Sequence, residues 1–269
     1  MRISCLQYTA EPDLDLSESR LYPLLDEAVA ARASVALLPE CALFLSSDQA
    51  VSRAHALAID SPQVERLRTY ASTHRITLIV GSLIMQIDDQ ILNRTLVIDA
   101  EGQIQTSYDK IHLFDVDLPD GNTYRESATV DPGQERPPVV EVPGLCRVGL
   151  SICYDVRFPE IYRHLAGAGA DLLMIPAAFT AFTGKDHWQV LLQARAIENT
   201  AYVLAPAQTG QHHGRRQSHG HALVIDPWGT VLADAGVQVG AAVAPVNTNH
   251  IGHVRAQMPS LRHRQPALF

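Results

Sequence analysis

Leu96-Val97-Ile98-Asp99-Ala100-Glu101-Gly102 and Leu223-Val224-Ile225-Asp226-Pro227-Trp228-Gly229 share one pattern: Leu-Val-Ile-Asp, two further residues, then Gly. The first continues into Gln103-Ile104 and the second into Thr230-Val231, so each reads as a hairpin around a turn. Working outward, similar elements precede both. Ahead of the first lie an apolar strand Ile3–Tyr8 and a helical stripe of Leu21, Leu24, Leu25 and Val29 within Leu16–Ala33. There follow an apolar run Val35–Leu38 closed by Pro39, a helix Ser61–His74 opening Ser-Pro, and a strand Ile76–Leu83. Ahead of the second lie a strand Cys146–Cys153, a helix Pro159–Ala168 and a strand Leu172–Ile175 closed by Pro176. A helix Lys185–Asn199 and a strand Ala201–Ala205 complete the half. Two such halves predict an α/β fold, a four-layer αββα sandwich of two similar mixed sheets packed face to face. The alternative is one doubly wound sheet with an extension. No Gly- or Ser-rich linker divides the halves, so residues 1–269 read as a single domain.

The 269 residues are 46% hydrophobic, enough for a sizeable core. Net charge is −8 and the pI near 5.8, which argues against nucleic acid or an anionic membrane as partner. No apolar run reaches the roughly 20 residues that span a bilayer. The first residues lack the apolar core of a secretory signal. Cys5, Cys41, Cys146 and Cys153 show no Cys-x-x-Cys spacing and fit reduced thiols better than a disulfide framework. The expectation is a cytoplasmic globular protein.

Three segments fall where a strand ends and a loop begins, the place α/β folds put their chemistry. They are Leu37-Leu38-Pro39-Glu40-Cys41, Tyr108-Asp109-Lys110-Ile111-His112-Leu113-Phe114 and Gly149-Leu150-Ser151-Ile152-Cys153-Tyr154-Asp155-Val156-Arg157-Phe158-Pro159-Glu160. Cys153 follows an apolar strand and precedes a helix starting at Pro159, where peptide N–H groups can stabilise a thiolate or an oxyanion. A lone cysteine is otherwise most often a small buried hydrophobe. Glu40 follows an apolar run, and partial desolvation would raise its pKa toward a value suited to proton transfer. Lys110 alone would be an ordinary surface charge. The combination is harder to explain away than any member.

These segments resemble the Glu, Lys and Cys motifs of the nitrilase superfamily of carbon–nitrogen hydrolases, in the expected order and spacing. The resemblance extends through Pro176-Ala177-Ala178-Phe179, Gly184-Lys185-Asp186-His187-Trp188 and Ala194–Asn199 to Asp226-Pro227-Trp228-Gly229, essentially the full length. It implies an αββα fold and a thiol amidase that needs no cofactor and no metal. It further implies Cys153 as nucleophile, Glu40 as general base, and Lys110 with the Tyr154 N–H as oxyanion donors. Glu126, in Tyr124-Arg125-Glu126-Ser127, matches a further glutamate that orients the lysine and substrate. Tyr154, Arg157, Phe179 and Thr183 become the expected substrate-binding residues. Asp109 stands where relatives often carry Arg or Lys, and Cys41 where Gly or Ala is common.

Within the superfamily the chain looks most like the branch of deaminated glutathione amidases and the neighbouring omega-amidases. Gln211-His212-His213, Ser218-His219-Gly220-His221 and His263–Phe269 lean toward the first. That branch implies a small carboxylate-bearing amide: deaminated glutathione, cut to 2-oxoglutarate and cysteinylglycine, or alternatively 2-oxoglutaramate. Arg157, four residues past the nucleophile, is the expected carboxylate clamp, its bland alternative being an ion pair with Glu160. His212, His213, His219 and His221 pose a rival, a metallohydrolase, since His219 and His221 would share one face of a strand. No Cys or acid ligand at characteristic spacing accompanies them, and Arg215 and Arg216 beside them repel a cation. A homodimer or larger homo-oligomer is expected by analogy, with the apolar Pro266–Phe269 tail available to cross to a neighbour.

Overall fold

The computed structural model describes residues 1–142, 146–214 and 216–265; Arg215 and the Pro266–Phe269 tail lie outside the described residues. The first half runs β1 (Arg2–Tyr8), α1 (Leu14–Ala30), β2 (Val35–Leu37), α2 (Gln49–Ala54), α3 (Pro62–His74), β3 (Thr77–Ile87), β4 (Gln90–Ile98) and β5 (Ile104–Asp109). A small hairpin, β6 (Asp115–Asp117) and β7 (Thr123–Arg125), connects it to β8 (Val139–Val142) and β9 (Cys146–Leu150). There follow α4 (Pro159–Gly167), β10 (Leu172–Met174), α5 (Ala181–Asn199) and β11 (Tyr202–Ala205). The chain ends with β12 (Ala207–Gln211), β13 (Gln217–His219), β14 (Leu223–Ile225), β15 (Val231–Asp234), β16 (Gly240–Pro245) and α6 (Thr248–Gln257).

The repeated pattern has a direct structural counterpart. In one sheet β1, β2 and β3 are parallel and β4 and β5 form the antiparallel hairpin. In the other, β9, β10 and β11 are parallel and β14 and β15 form it. Alternation along each strand then assigns the layers. Ile3, Cys5, Val35 and Leu37 join Val148, Leu150, Leu172 and Met174 in the core between the sheets. Leu6, Tyr8, Ala36 and Leu38 face Leu21, Leu25, Val64 and Leu67 of α1 and α3. On the outer face of the second sheet, α4 buries Ile161, Tyr162 and Leu165, and α5 buries Trp188, Leu192 and Ala196. The result is an αββα sandwich, as the pattern predicts.

The halves are not strictly repeated. After β11 the chain passes Pro206 and leaves its own sheet: β12 pairs in parallel with β1 of the facing one, and β13 follows it there. β16 also crosses back, antiparallel to β1 over Arg2–Gln7. These crossings tie the two sheets together by backbone hydrogen bonds as well as by apolar packing.

Local chemistry sets the helix starts. Ser61 accepts from the Val64 N–H and Pro62 occupies the first helical position of α3. Asp13 caps α1 in the same way through the Leu16 N–H, at 2.9 Å. Pro159 opens α4, whereas α5 begins at Ala181, one turn ahead of the expected Lys185. Among the described residues no helix is long and apolar enough to cross a membrane.

Candidate active site

Glu40, Lys110 and Cys153 come from different elements and meet at the floor of one cavity of about 480 Å³. Glu40 stands three residues beyond β2, where Pro39 cannot extend the ladder. Lys110 directly follows β5, whose last residue Asp109 is held by a two-point bond from Arg94 at 2.6 and 2.7 Å. Cys153 opens a short 3-10 turn between β9 and α4. The nucleophile itself and the residue after the base adopt left-handed backbone: Cys153 has φ 46° and Cys41 φ 53°. Such a conformation costs a non-glycine residue about 1 kcal/mol or more, which surrounding contacts must offset.

Those contacts are present at Cys153. Its N–H donates to Pro176 O at 2.8 Å. Asp155, fully buried, accepts from the Ile152 N–H at 2.9 Å, from Tyr108 OH at 2.8 Å and from His112 Nδ1 at 2.9 Å. The His112 ring stacks on Phe158 with centroids 3.6 Å apart. The turn bearing the thiol is thus fastened to the lysine segment by two side chains of that segment, Tyr108 and His112.

The floor is an ionic cluster. Lys110 Nζ donates to Glu40 Oε1 at 2.7 Å and to Glu126 Oε2 and Oε1 at 2.8 and 3.0 Å. Asn93 Nδ2 bridges the two carboxylates, 3.1 Å from Glu40 Oε1 and 3.0 Å from Glu126 Oε1. The Ala178 N–H donates to Glu40 Oε2 at 2.8 Å, and the Phe114 N–H to Glu126 Oε2 at 2.7 Å. The β6–β7 hairpin explains that last bond, because it returns the chain so that residue 126 lies beside residue 114. Burying three charges is costly unless each is paired and hydrogen-bonded, and here each is.

Electrostatics set the resting protonation. Burial alone would raise the Glu40 carboxyl, as the sequence suggested, but Lys110, the Ala178 N–H and the neighbouring Cys153 thiol outweigh it. The net shift is downward, which corrects the expected rise: Glu40 rests as a carboxylate. Burial would also discharge Lys110, yet Glu126 and Glu40 hold its pKa well above the usual range. Burial, then the Glu40 charge, push the Cys153 thiol well up, so it rests protonated and not as a preformed thiolate. A protonated thiol against an ionised carboxylate is arranged for proton transfer during attack, with the ammonium beside both.

The cavity walls contain Tyr154, Phe179 and Thr183, three of the four substrate-binding residues expected from sequence. The fourth, Arg157, does not line it. Its guanidinium lies 5.2 Å from the Phe179 ring centroid and 5.9 Å from that of Tyr154, and Nη1 contacts His187 Nδ1 at 3.3 Å. The pairing with Glu160 is not formed among the described residues. Arg216 lines the cavity instead, with Tyr124, Phe114 and Phe44. Sequence reasoning also missed Asn93, Tyr108, His112 and Asp155. A polar Asn93-Arg94-Thr95 interrupting the apolar β4 is the one local signal that could have found Asn93.

The histidines are dispersed. Buried His212 donates from Nδ1 to Ala10 O at 3.0 Å and meets Ser218 Oγ through Nε2 at 2.8 Å. Burial depresses its pKa to about 4. His221 pairs with Asp234 at 2.9 Å, and its ring stacks on His219 at 4.8 Å. Gly220 and His221 adopt positive φ and break the strand that would have aligned the pair. Among the described residues no three His, Cys, Asp or Glu side chains converge as a metal site.

The chain is similar to known carbon–nitrogen hydrolases. Residues 2–256 match the model of the carbon–nitrogen hydrolase family. The chain is 49% identical over 265 residues, 97% of each chain, to a protein of Synechocystis sp. named deaminated glutathione amidase. The crystal structure of the C. elegans NitFhit protein superposes with a TM-score of 0.92 at 36% identity, covering all of this chain and 66% of that one. An amidase from Nesterenkonia sp. AN1, a Glu-to-Gln mutant with acrylamide added at its active-site cysteine, matches with TM-score 0.80 at 28% identity over 96% of this chain and 98% of that one.

Proposed function

The chain belongs to the carbon–nitrogen hydrolase family, and from that premise we propose that it hydrolyses deaminated glutathione to 2-oxoglutarate and cysteinylglycine through a Cys153 thioester. The observation that carries the mechanism is the joint location of an ionised Glu40, a charged Lys110 and a protonated Cys153 at the floor of one cavity. The substrate rests on the full-length similarity to the Synechocystis amidase. A cavity near 480 Å³ is of the size that encloses a small-molecule ligand.

In this reading the Cys153 sulfur attacks the amide carbonyl carbon while its proton passes to Glu40. Once Glu40 is neutral its attraction for Lys110 weakens, and the ammonium turns a proton toward the oxyanion. The Tyr154 N–H, in the first turn and without an intrahelical acceptor, is the second donor. Glu40 returns its proton to the leaving nitrogen as the carbon–nitrogen bond breaks, and cysteinylglycine departs. Water, deprotonated by Glu40, then attacks the thioester, releasing the acid and restoring the thiol. Glu126 and Asn93 hold Lys110 and Glu40 in register through both halves.

We take residues 1–269 as one hydrolase domain, since the core between the sheets draws on both halves. A cytoplasmic site of action fits four free cysteines. Homo-oligomers fit the exposed Val190 and Ile197 of α5 beside Trp228, and light scattering would test this. A panel of deaminated glutathione, 2-oxoglutaramate, N-carbamoyl compounds and simple nitriles tests the substrate. The highest kcat/KM is expected on deaminated glutathione. A preference for 2-oxoglutaramate would make the enzyme an omega-amidase, and a preference for nitriles or carbamoyl compounds would overturn the amidase reading.

A further inference from the structure

The floor of the cavity has an excess of negative charge. Glu40 and Glu126 bring two formal charges, and Lys110 offsets only one. A substrate bearing a carboxylate must therefore settle beside a net anion, which requires a cation that is not already neutralised.

Two further cations line the cavity, Arg125 and Arg216. Arg125 is committed: its Nη2 meets both oxygens of Asp117 at 2.8 and 2.9 Å on the exposed hairpin. Arg216 is different. It is half-buried, and among the described residues no carboxylate lies within ion-pair distance of it. Its Nη2 donates only to Ala178 O, at 3.3 Å, and its Nε is buried without a partner. The guanidinium lies 5.9 Å from the Tyr124 ring centroid. A half-buried guanidinium with a buried, unused donor is costly, and a planar two-oxygen acceptor is the group that best completes it.

Placement strengthens the argument. Ala178 accepts from Arg216 through its carbonyl and donates to Glu40 through its N–H, so one residue ties the cation to the base. Arg157, which the sequence favoured, sets its charge against the Phe179 and Tyr154 rings and His187 and is not itself among the cavity-lining residues.

We propose that Arg216 recognises the carboxylate on the acyl half of the substrate, the half that stays on the enzyme as the thioester. The assignment rests on the reading of a carboxylate-bearing amide substrate. Recognition is by guanidinium N–H groups that have no carboxylate partner among the described residues, set against the two carboxylate oxygens, and it offsets the excess charge of Glu40 and Glu126. The site therefore selects 2-oxo acid amides over neutral amides of the same shape.

The test uses 2-oxoglutaramate and deaminated glutathione, each with the 2-oxo acid carboxylate either free or methyl-esterified, and reads release of ammonia or amine. Wild type is expected to prefer the free acids in kcat/KM. Arg216→Gln should shrink that preference about 10- to 100-fold, chiefly through KM, because one charge-assisted contact of this kind is lost. Arg216→Lys should retain part of it, and Arg157→Gln should keep it. A ratio of two substrates in one variant cancels any general loss of folded enzyme. If wild type prefers the acids and Arg216→Gln keeps the full preference, or Arg157→Gln abolishes it, Arg216 is not the recognition residue. If wild type hydrolyses acids and esters alike, the anionic-substrate reading fails, and the assignment with it.

Discussion

Strand β2 leaves its sheet through Leu38-Pro39-Glu40-Cys41, and β10 leaves the facing sheet through Ile175-Pro176-Ala177-Ala178. The two exits have the same position in the repeated pattern and meet in space. Ala178 donates its N–H to Glu40 at 2.8 Å, and Pro176 O accepts from Cys153 N–H at 2.8 Å. Gly81 packs between them: a Cβ there would fall 1.9 Å from Leu38 O and 2.5 Å from the Pro176 Cβ. One exit bears the acid, while the other bears small residues and contributes only backbone. The difference teaches that the second half carries its chemistry one strand over, at the end of β9, and uses the β10 exit as a peptide scaffold for both reacting groups. A side chain longer than alanine at residue 178 would occupy the cavity wall that the substrate needs.

The largest expected effect breaks the acidic exit. Glu40→Gln keeps the shape but removes the base, and kcat on the preferred amide should fall about 1,000-fold, as measured by steady-state assay. A decrease of less than tenfold would mean that another group takes the thiol proton. Next comes the meeting point. Gly81→Ala forces Leu38 O and Pro176 apart and should cost about 3 kcal/mol of stability in urea unfolding; an unchanged midpoint would show that the exits can separate freely.

The crossing segment after β11 gives a third test. His212 titrates near 4 when folded and about 6.5 when unfolded. Between these values the unfolded chain binds more protons, so stability is unpenalised above about pH 6.5 and falls as pH drops toward 4. The loss should approach 2–3 kcal/mol on the order-of-magnitude scale of one buried histidine. Urea midpoints from pH 7.5 to 4.5 should therefore fall more steeply for wild type than for His212→Gln, and equal slopes would contradict the buried, neutral assignment. The smallest effect concerns the nucleophile turn. Asp155→Asn keeps one acceptor oxygen but loses the charge shared by Tyr108, His112 and Ile152. A loss of about 1–2 kcal/mol is expected, together with a lower kcat at nearly constant KM. A rise in KM alone would place Asp155 in substrate binding instead.

The paired halves, the Pro-terminated exits and the elements bearing Glu40, Lys110 and Cys153 were legible because each depends on local pattern: apolar runs, helix starts, turn residues. The crossing of β12 and β16 into the opposite sheet was not, since strand partners far apart in sequence leave no local trace. The direction of the Glu40 shift was likewise hidden. Desolvation can be read from an apolar neighbourhood, but the opposing ammonium arrives from 70 residues away. Arg157 and Arg216 show the same limit for side chains: closeness to the nucleophile in sequence singles out Arg157, while Arg216, which lines the cavity, comes from a loop far along the chain.

The central claim, that Cys153 carries the acyl group while Glu40 relays protons, is tested most directly by acid-quenching wild-type enzyme during turnover and mapping its peptides by mass spectrometry. The account predicts an acyl adduct equal to the acid half of the substrate on the peptide containing Cys153, absent from Cys153→Ala, which should also lack turnover. An adduct on Cys41, or unimpaired turnover by Cys153→Ala, would contradict it.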